Sequence, residues 1–152
     1  MSYDWSDKVY NRSDFEIPNE LKCLANIFAE VTSGETWNYD SAIVNYYGCK
    51  DTLCPHTDVY EQELRCPIVT VSLGADGVFM IGGNDRFCQE PDSVLLKEGD
   101  VMIMSLEART AVHAIPKIIA SIADKPETDS DVISDFYLNN RVNISIRQVF
   151  KT

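Results

Sequence analysis

Two hydrophobic rhythms divide the chain. Leu21, Leu24, Ile27, Phe28 and Val31 recur at spacings of three and four, which predicts one helix between Ser13 and Val31 with an apolar stripe. Pro18 suits its first turn, and Thr32-Ser33-Gly34 supplies its stop. Beyond that point apolar runs are short and separated by turn residues. Strands are predicted at Ala42 to Tyr47, Pro67 to Leu73, Val78 to Ile81, Ser93 to Leu96, Val101 to Ser105, Thr110 to Ala114 and Arg141 to Val149. Gly74-Ala75-Asp76-Gly77, Gly82-Gly83-Asn84-Asp85 and Lys97-Glu98-Gly99-Asp100 are the turns between them. One helix followed by many short strands predicts a mainly β (α+β) domain, a sandwich or barrel of antiparallel strands with the helix packed against it.

The last strand alternates without a fault. Arg141, Asn143, Ser145 and Arg147 share one face, and Val142, Ile144 and Ile146 share the other. An edge strand with its polar side in water would give this pattern. So would a strand whose polar face lines a cavity. At ~3.3 Å per residue the two arginine Cα atoms lie roughly 20 Å apart, close enough for long side chains to bracket a small dicarboxylate. Paired guanidinium hydrogen bonds suit a 2-oxo-dicarboxylic acid.

The chain has 152 residues, enough for a single domain (1–152) with a substantial core. Hydrophobic residues make up 45% and charged ones 24%, as in ordinary globular proteins. No apolar run reaches membrane-spanning length, and Met1-Ser2-Tyr3-Asp4-Trp5 does not open a signal peptide. Five cysteines form no Cys-x-x-Cys pair, so reduced thiols in an intracellular protein are expected, with nucleus, cytoplasm and mitochondrion not distinguished. The net charge of -11 runs against a polyanionic partner, although the acid is concentrated in 120–140, read as a long solvated loop.

Both histidines of the chain sit where a metal ligand is needed. His56 and Asp58 form a His-x-Asp pair, and His113 lies far downstream. Two imidazoles and one carboxylate make the facial triad of non-haem Fe(II) oxygenases, which leaves the opposite face open. A single histidine on a strand is more often a satisfied core residue. The coincidence of all three with the arginine strand favours the metal. Zinc on Cys49 and Cys54 lacks a fourth ligand and has unsuitable spacing. Met102 and Met104 read as core, and Tyr46 as packing turned away from Asn45 and Tyr47.

From Ala42 to Val149 the chain resembles the AlkB family of Fe(II)- and 2-oxoglutarate-dependent dioxygenases, most closely its eukaryotic branch typified by AlkB homologue one. The resemblance rests on Asn45-Tyr46-Tyr47, His56-Thr57-Asp58, Gly82-Gly83, Gly99-Asp100-Val101-Met102-Ile103-Met104-Ser105, His113 and Arg141-Val142-Asn143-Ile144-Ser145-Ile146-Arg147-Gln148-Val149. It implies a double-stranded β-helix (jelly-roll) core over 41–149. By that resemblance His56, Asp58 and His113 are the catalytic iron ligands, and Asn45, Tyr47, Arg141, Asn143 and Arg147 hold 2-oxoglutarate. Tyr60, Glu61 and Arg86 would approach substrate.

The resemblance also implies Fe(II), with 2-oxoglutarate and O2 as cosubstrates, in oxidative demethylation of N-methylated bases in tRNA or DNA, the chemistry of DNA repair and tRNA modification. The protein is expected to be a monomer with a nucleic-acid partner and no membrane partner. Residues 1–40 are mostly one helix, so the chain is expected to lack much of the family's nucleotide-recognition region, with Tyr3, Trp5 and Tyr10 as its remainder. Two alternatives stand beside this reading. One is an oxygenase acting on a protein or small molecule, and the other a non-catalytic metal- or partner-binding module.

Overall fold

A computed structural model describes residues 2–4, 6, 9–11, 16–83, 90–120 and 136–151. The helix α1 runs Asn19–Ser33 and starts later than the periodicity predicts. Pro18 is extended (φ -52, ψ 139) and cannot belong to the helix, but its carbonyl accepts from the amides of Leu21 (3.1 Å) and Lys22 (3.3 Å). Gly34 ends α1 in the left-handed region at φ 69, a conformation that costs glycine least.

The buried stripe is also displaced from the predicted one. Ala25 and Ala29 are fully buried, with Leu21 and Phe28 beside them, whereas Ile27 is 61% and Val31 82% exposed. Small side chains at Ala25 and Ala29 let the helix backbone approach the sheet, and that close line of contact turns Ile27 and Val31 outward.

The remaining elements are β1 (Ser2–Asp4), β2 (Val9–Asn11), β3 (Ser41–Gly48), β4 (Leu53–His56), β5 (Ile68–Gly74), β6 (Asp76–Ile81), β7 (Asp92–Leu96), β8 (Val101–Met104), a 3-10 helix (Leu106–Thr110), β9 (His113–Ile119) and β10 (Asn140–Arg147). Strands β1 and β2 pair as a separate hairpin. Two four-stranded antiparallel sheets form the body, in the orders β3-β10-β5-β8 and β4-β9-β6-β7. One core joins their facing sides through Tyr47, Ile68, Phe79, Met104 and Ile115. A second lies between α1 and the outer face of the first sheet, built from Val69, Ile146 and the helix alanines.

Two strands depart from the sequence pattern. The stretch from Thr110 to Ala114 is not one strand, because a 3-10 turn occupies Leu106–Thr110 and β9 runs on to Ile119. Pro116 does not end β9. The β6–β9 ladder shifts register between Val78 and Met80, opposite Ile115 and Pro116, so the missing amide falls at a bulge. Strand β4 is absent from the predicted set because it is short, contains Pro55 and lies at a sheet edge.

Strand β10 is a central strand, paired with β3 on one side and β5 on the other, and not an edge strand wetted on its polar face. Its polar residues Arg141, Asn143, Ser145 and Arg147 are all buried. Gly74 turns the chain from the first sheet into the second at φ 75, and a Cβ there would lie 2.4 Å from the carbonyl oxygen of Asn140. Met102 and Met104 pack in the core as predicted. Tyr46 does turn away from Asn45 and Tyr47, but it is 67% exposed and touches Phe136 edge-to-face. Most of the predicted acidic loop lies outside the described residues, as do Trp5 and Arg86.

Candidate metal and cosubstrate site

The β4–β9 ladder sets His56 directly opposite His113. Their rings lie 4.3 Å apart between centroids. Asp58, just past the end of β4, completes the group. His56 Nε2 lies 3.8 Å from Asp58 Oδ1, and His113 Nε2 lies 3.9 Å from Asp58 Oδ2. One ligand atom from each residue falls within 4.8 Å of the others.

The backbone fixes which ring nitrogen faces inward. His56 Nδ1 lies 2.9 Å from the Cys54 carbonyl, and His113 Nδ1 lies 3.1 Å from that of Ala111. A carbonyl only accepts, so each Nδ1 carries the proton and each Nε2 presents a lone pair. Burial above all holds the His113 pKa below its ordinary 6.5, although the Ala111 carbonyl and Asp58 pull it upward. For Asp58 burial pushes upward, but Arg147, His113, His56 and Arg109 together bring the carboxyl below its ordinary value. Neutral imidazoles and an ionised carboxylate are the states a divalent metal requires, so the donor set fits iron.

The first sheet supplies a row of polar side chains facing the second. Tyr47, Arg141 and Gly74 are cross-strand neighbours, as are Asn45, Asn143 and Ser72. Asn45 Nδ2 donates to Asn143 Oδ1 at 3.0 Å, and Thr70 Oγ1 and Ser145 Oγ lie 2.9 Å apart. Arg141 is 0% exposed, and its Nη2 donates to Ser72 Oγ at 2.8 Å. Its Nε and Nη1 have no hydrogen-bond partner among the described residues.

A buried cation with two idle donors is costly unless a ligand meets it. A carboxylate of 2-oxoglutarate fits that need. Burial pushes the Tyr47 hydroxyl pKa up, partly offset by Arg141 and by a hydrogen bond with Asn143, so it stays a neutral donor beside the guanidinium. Gly77 on β6 makes room, since a Cβ there would lie 2.8 Å from Arg141 Nε.

At the other end of β10, Arg147 Nη2 donates to Asp58 Oδ2 at 3.2 Å. Its Nη1 donates to Glu61 Oε1, which also accepts from the Tyr10 hydroxyl at 3.2 Å. Glu61, expected near substrate, is buried and ion-paired, and Tyr60 is 45% exposed. Arg109 was missed in the sequence. It is buried, with Nε donating to the Cys66 carbonyl at 2.8 Å and Nη1 to the Asp58 carbonyl at 2.7 Å. Its closeness to His113 in sequence was the only signal, and nothing in the pattern marks it as buried. Ser72 and Gly77 were missed for the same reason, since each matters only through Arg141.

A cleft of about 550 Å³ is lined by Ile81, the cross-strand neighbour of His113, with Gly82, Gly83, Glu90, Asp92 and Glu107, among others, but by none of His56, Asp58, His113 and Arg141. No described helix is long and apolar enough to cross a membrane.

Comparison with known proteins places this geometry. Residues 1–147 match the model of the 2OG-Fe(II) oxygenase superfamily. The chain is 36% identical over 163 residues to a DNA N(6)-methyladenine demethylase ALKBH1A of Arabidopsis thaliana, covering 99% of this chain and 47% of that protein. It is 34% identical over 152 residues to the tRNA demethylase abh1 of Schizosaccharomyces pombe, covering 97% of this chain and 50% of the relative. An N6-methyladenosine RNA demethylase ALKBH of Cryphonectria parasitica matches at 30% over 167 residues, covering 97% of this chain and 71% of that protein.

The chain thus spans about half the length of the first two relatives. The solved structure of OsALKBH1 superposes with a TM-score of 0.76 at 21% identity, over 97% of this chain and 74% of the other, which shows the shared jelly-roll fold. The family's cofactor set is Fe(II), with 2-oxoglutarate and O2 as cosubstrates. The chain belongs to the 2OG-Fe(II) oxygenase superfamily and, within it, is homologous to the ALKBH1 and AlkB proteins.

Proposed function

We propose that this chain is a dioxygenase that demethylates N-methylated bases in tRNA or DNA. The observation that carries the reading is that one face of β10 bears both Arg147, bonded to Asp58 of the His56-Asp58-His113 cluster, and the buried Arg141, two of whose nitrogens have no partner among the described residues. Demethylase names among the relatives support the substrate class.

His56, Asp58 and His113 would hold Fe(II). Arg141 and Tyr47 would bind the distal carboxylate of 2-oxoglutarate, with Asn45 and Asn143 alongside and Arg147 near the end closest to Asp58. With O2, the bound iron and cosubstrate supply an oxidant that hydroxylates the N-methyl carbon, releasing succinate, CO2 and finally formaldehyde. The protein's share is placement. Arg141 fixes one end of the cosubstrate, buried walls keep bulk water from it, and the open side of the triad faces substrate. A base within a duplex must be flipped out or presented single-stranded. Tyr60 follows Asp58 by two residues and is 45% exposed, and its ring would stack on such a base.

A second reading keeps the chemistry and changes the substrate to a protein side chain or small molecule. It is favoured by Glu90, Asp92 and Glu107 around the cleft that Ile81, the cross-strand neighbour of His113, also lines; these carboxylates repel a phosphate backbone. A monomer in an intracellular compartment belongs to both readings, and the free thiols of Cys23, Cys49, Cys54 and Cys66 suit a reducing one.

One assay tests them together. The protein is incubated with Fe(II), 2-oxoglutarate and O2, with and without methylated oligonucleotides, and succinate and formaldehyde are followed. Formaldehyde that depends on the oligonucleotide supports demethylation. Succinate unaffected by it supports the second reading, and absence of both products overturns the oxygenase assignment.

A further inference from the structure

Asp58 is tied down from two directions, at its main chain by Arg109 and at its side chain by Arg147, which Glu61 also engages. Arg109 Nη1 donates to its main-chain carbonyl at 2.7 Å while Nε donates to the Cys66 carbonyl at 2.8 Å. One guanidinium therefore clamps both ends of the segment from Asp58 to Cys66. Arg109 itself sits on the 3-10 turn immediately before β9, which carries His113. The clamp thus links the segment bearing one prospective ligand to the segment bearing another.

The second restraint is electrostatic. Glu61 lies between two guanidiniums, accepting from Arg147 Nη1 and standing 3.4 Å from Arg109 Nη2. Arg147 spends its remaining terminal nitrogen on Asp58 Oδ2. Asp58, Glu61, Arg109 and Arg147 carry charges that sum to zero; Arg147 is shared between the two carboxylates, and Arg109 pairs with Glu61 while holding the Asp58 main chain. Without Glu61, Arg147 would bear on the Asp58 carboxylate alone, and Arg109 would keep only its bonds to the Asp58 and Cys66 carbonyls. The undivided Arg147 charge would draw electron density from the carboxylate, and its donor strength toward a metal would fall.

We propose that Glu61 and Arg109 are positioning residues for Asp58. They divide the guanidinium of Arg147 between two carboxylates and fix the Asp58 main chain, leaving Oδ1 turned toward His56 as a one-oxygen metal ligand. This rests on the reading of His56, Asp58 and His113 as a metal centre. It gives Glu61 a role inside the protein in place of a contact with substrate.

The test uses Co(II) alone, without 2-oxoglutarate or O2, with the dissociation constant read from the visible absorption of the bound ion. Glu61→Gln keeps shape and removes charge. The double variant Glu61→Gln with Arg109→Met removes one charge of each sign, keeping the cluster neutral should the single variant fail to fold. Far-ultraviolet circular dichroism and the thermal midpoint of the metal-free protein report the fold.

The expected result is Co(II) binding weakened by about tenfold or more in both variants, the range seen when outer partners of metal ligands are lost. The absorption spectrum should also change as the carboxylate shifts. Co(II) affinity within twofold of wild type in a folded variant overturns the proposal. Wild-type protein that fails to bind Co(II), or a His113→Ala variant that binds as tightly as wild type, overturns the metal-centre reading itself.

Discussion

His56 and His113 are directly opposed residues of the β4–β9 ladder, so the ring separation of 4.3 Å is set by strand pairing and not by loop conformation. Replacing either with alanine removes a donor without touching a buried backbone hydrogen bond of the sheet. Binding of Mn(II), followed by calorimetry, is expected to weaken at least a hundredfold in each variant. Metal at about 100 times its dissociation constant stabilises a protein by about 2.7 kcal/mol. The wild-type thermal midpoint should therefore rise with Mn(II), and the variant midpoints should not.

Arg141 separates ligand binding from stability. It is fully buried with two idle nitrogens, so its charge is a burden on the protein when nothing pairs with it. Arg141→Met should leave the ligand-free thermal midpoint unchanged or raise it. Affinity for 2-oxoglutarate, measured by quenching of intrinsic fluorescence in the presence of Mn(II), should fall by about a hundredfold. That corresponds to the roughly 1.5–3 kcal/mol typical of a charged hydrogen bond. A large loss of stability with unchanged affinity would show that the guanidinium is structural.

Two glycines near that arginine should behave oppositely. At Gly74 a Cβ would meet the Asn140 carbonyl oxygen at 2.4 Å, and φ is 75. Gly74→Ala is expected to cost about 2 kcal/mol or more in urea denaturation, since a backbone atom cannot yield cheaply. At Gly77 the neighbour is the Arg141 side chain, which can move. Gly77→Ala should cost less stability than Gly74→Ala and weaken 2-oxoglutarate binding by displacing the guanidinium.

High pH should expose the second core. Burial foremost raises the Cys66 thiol from an ordinary 9.0 to about 11. The fold thus favours the protonated thiol, so its contribution is intact below pH 9 and lost as pH climbs through 11. Burial also lifts Tyr10, to about 12, which extends the loss to still higher pH. Urea midpoints measured between pH 8 and 11 should fall, and Cys66→Ala should flatten the part of that fall between 9 and 11. An identical slope in the variant would assign the loss to other groups.

The sequence carried the chemistry better than its supports. His56, Asp58 and the polar face of β10 were legible because each obeys a local rule, a two-residue spacing or a strand alternation, whereas His113, far downstream, was marked only by its coincidence with them. Whether β10 was central or at an edge was not legible, since both give the same alternation, and pairing with β3 and β5 is a property of distant segments. The burial of Glu61 and Arg109 was not legible because charged residues are normally solvated. Their burial depends on partners such as Arg147, which lies 86 positions from Glu61. The shifted start of α1 has a local cause in Pro18, while the shifted stripe arises from how closely alanines allow the sheet to approach.

The central position of β10 has a consequence for how the site opens. Its amides and carbonyls are engaged on both sides along nearly its whole length, whereas β4 lies at an edge and pairs with β9 only at Leu53 and His56. Amide hydrogen exchange should therefore be slowest in β10 and much faster in β4. The cosubstrate arginines would belong to the last unit of the protein to open, and His56 to one of the first. Under brief, local fluctuation the molecule would let go of iron while its cosubstrate cradle kept its shape, ready for reloading.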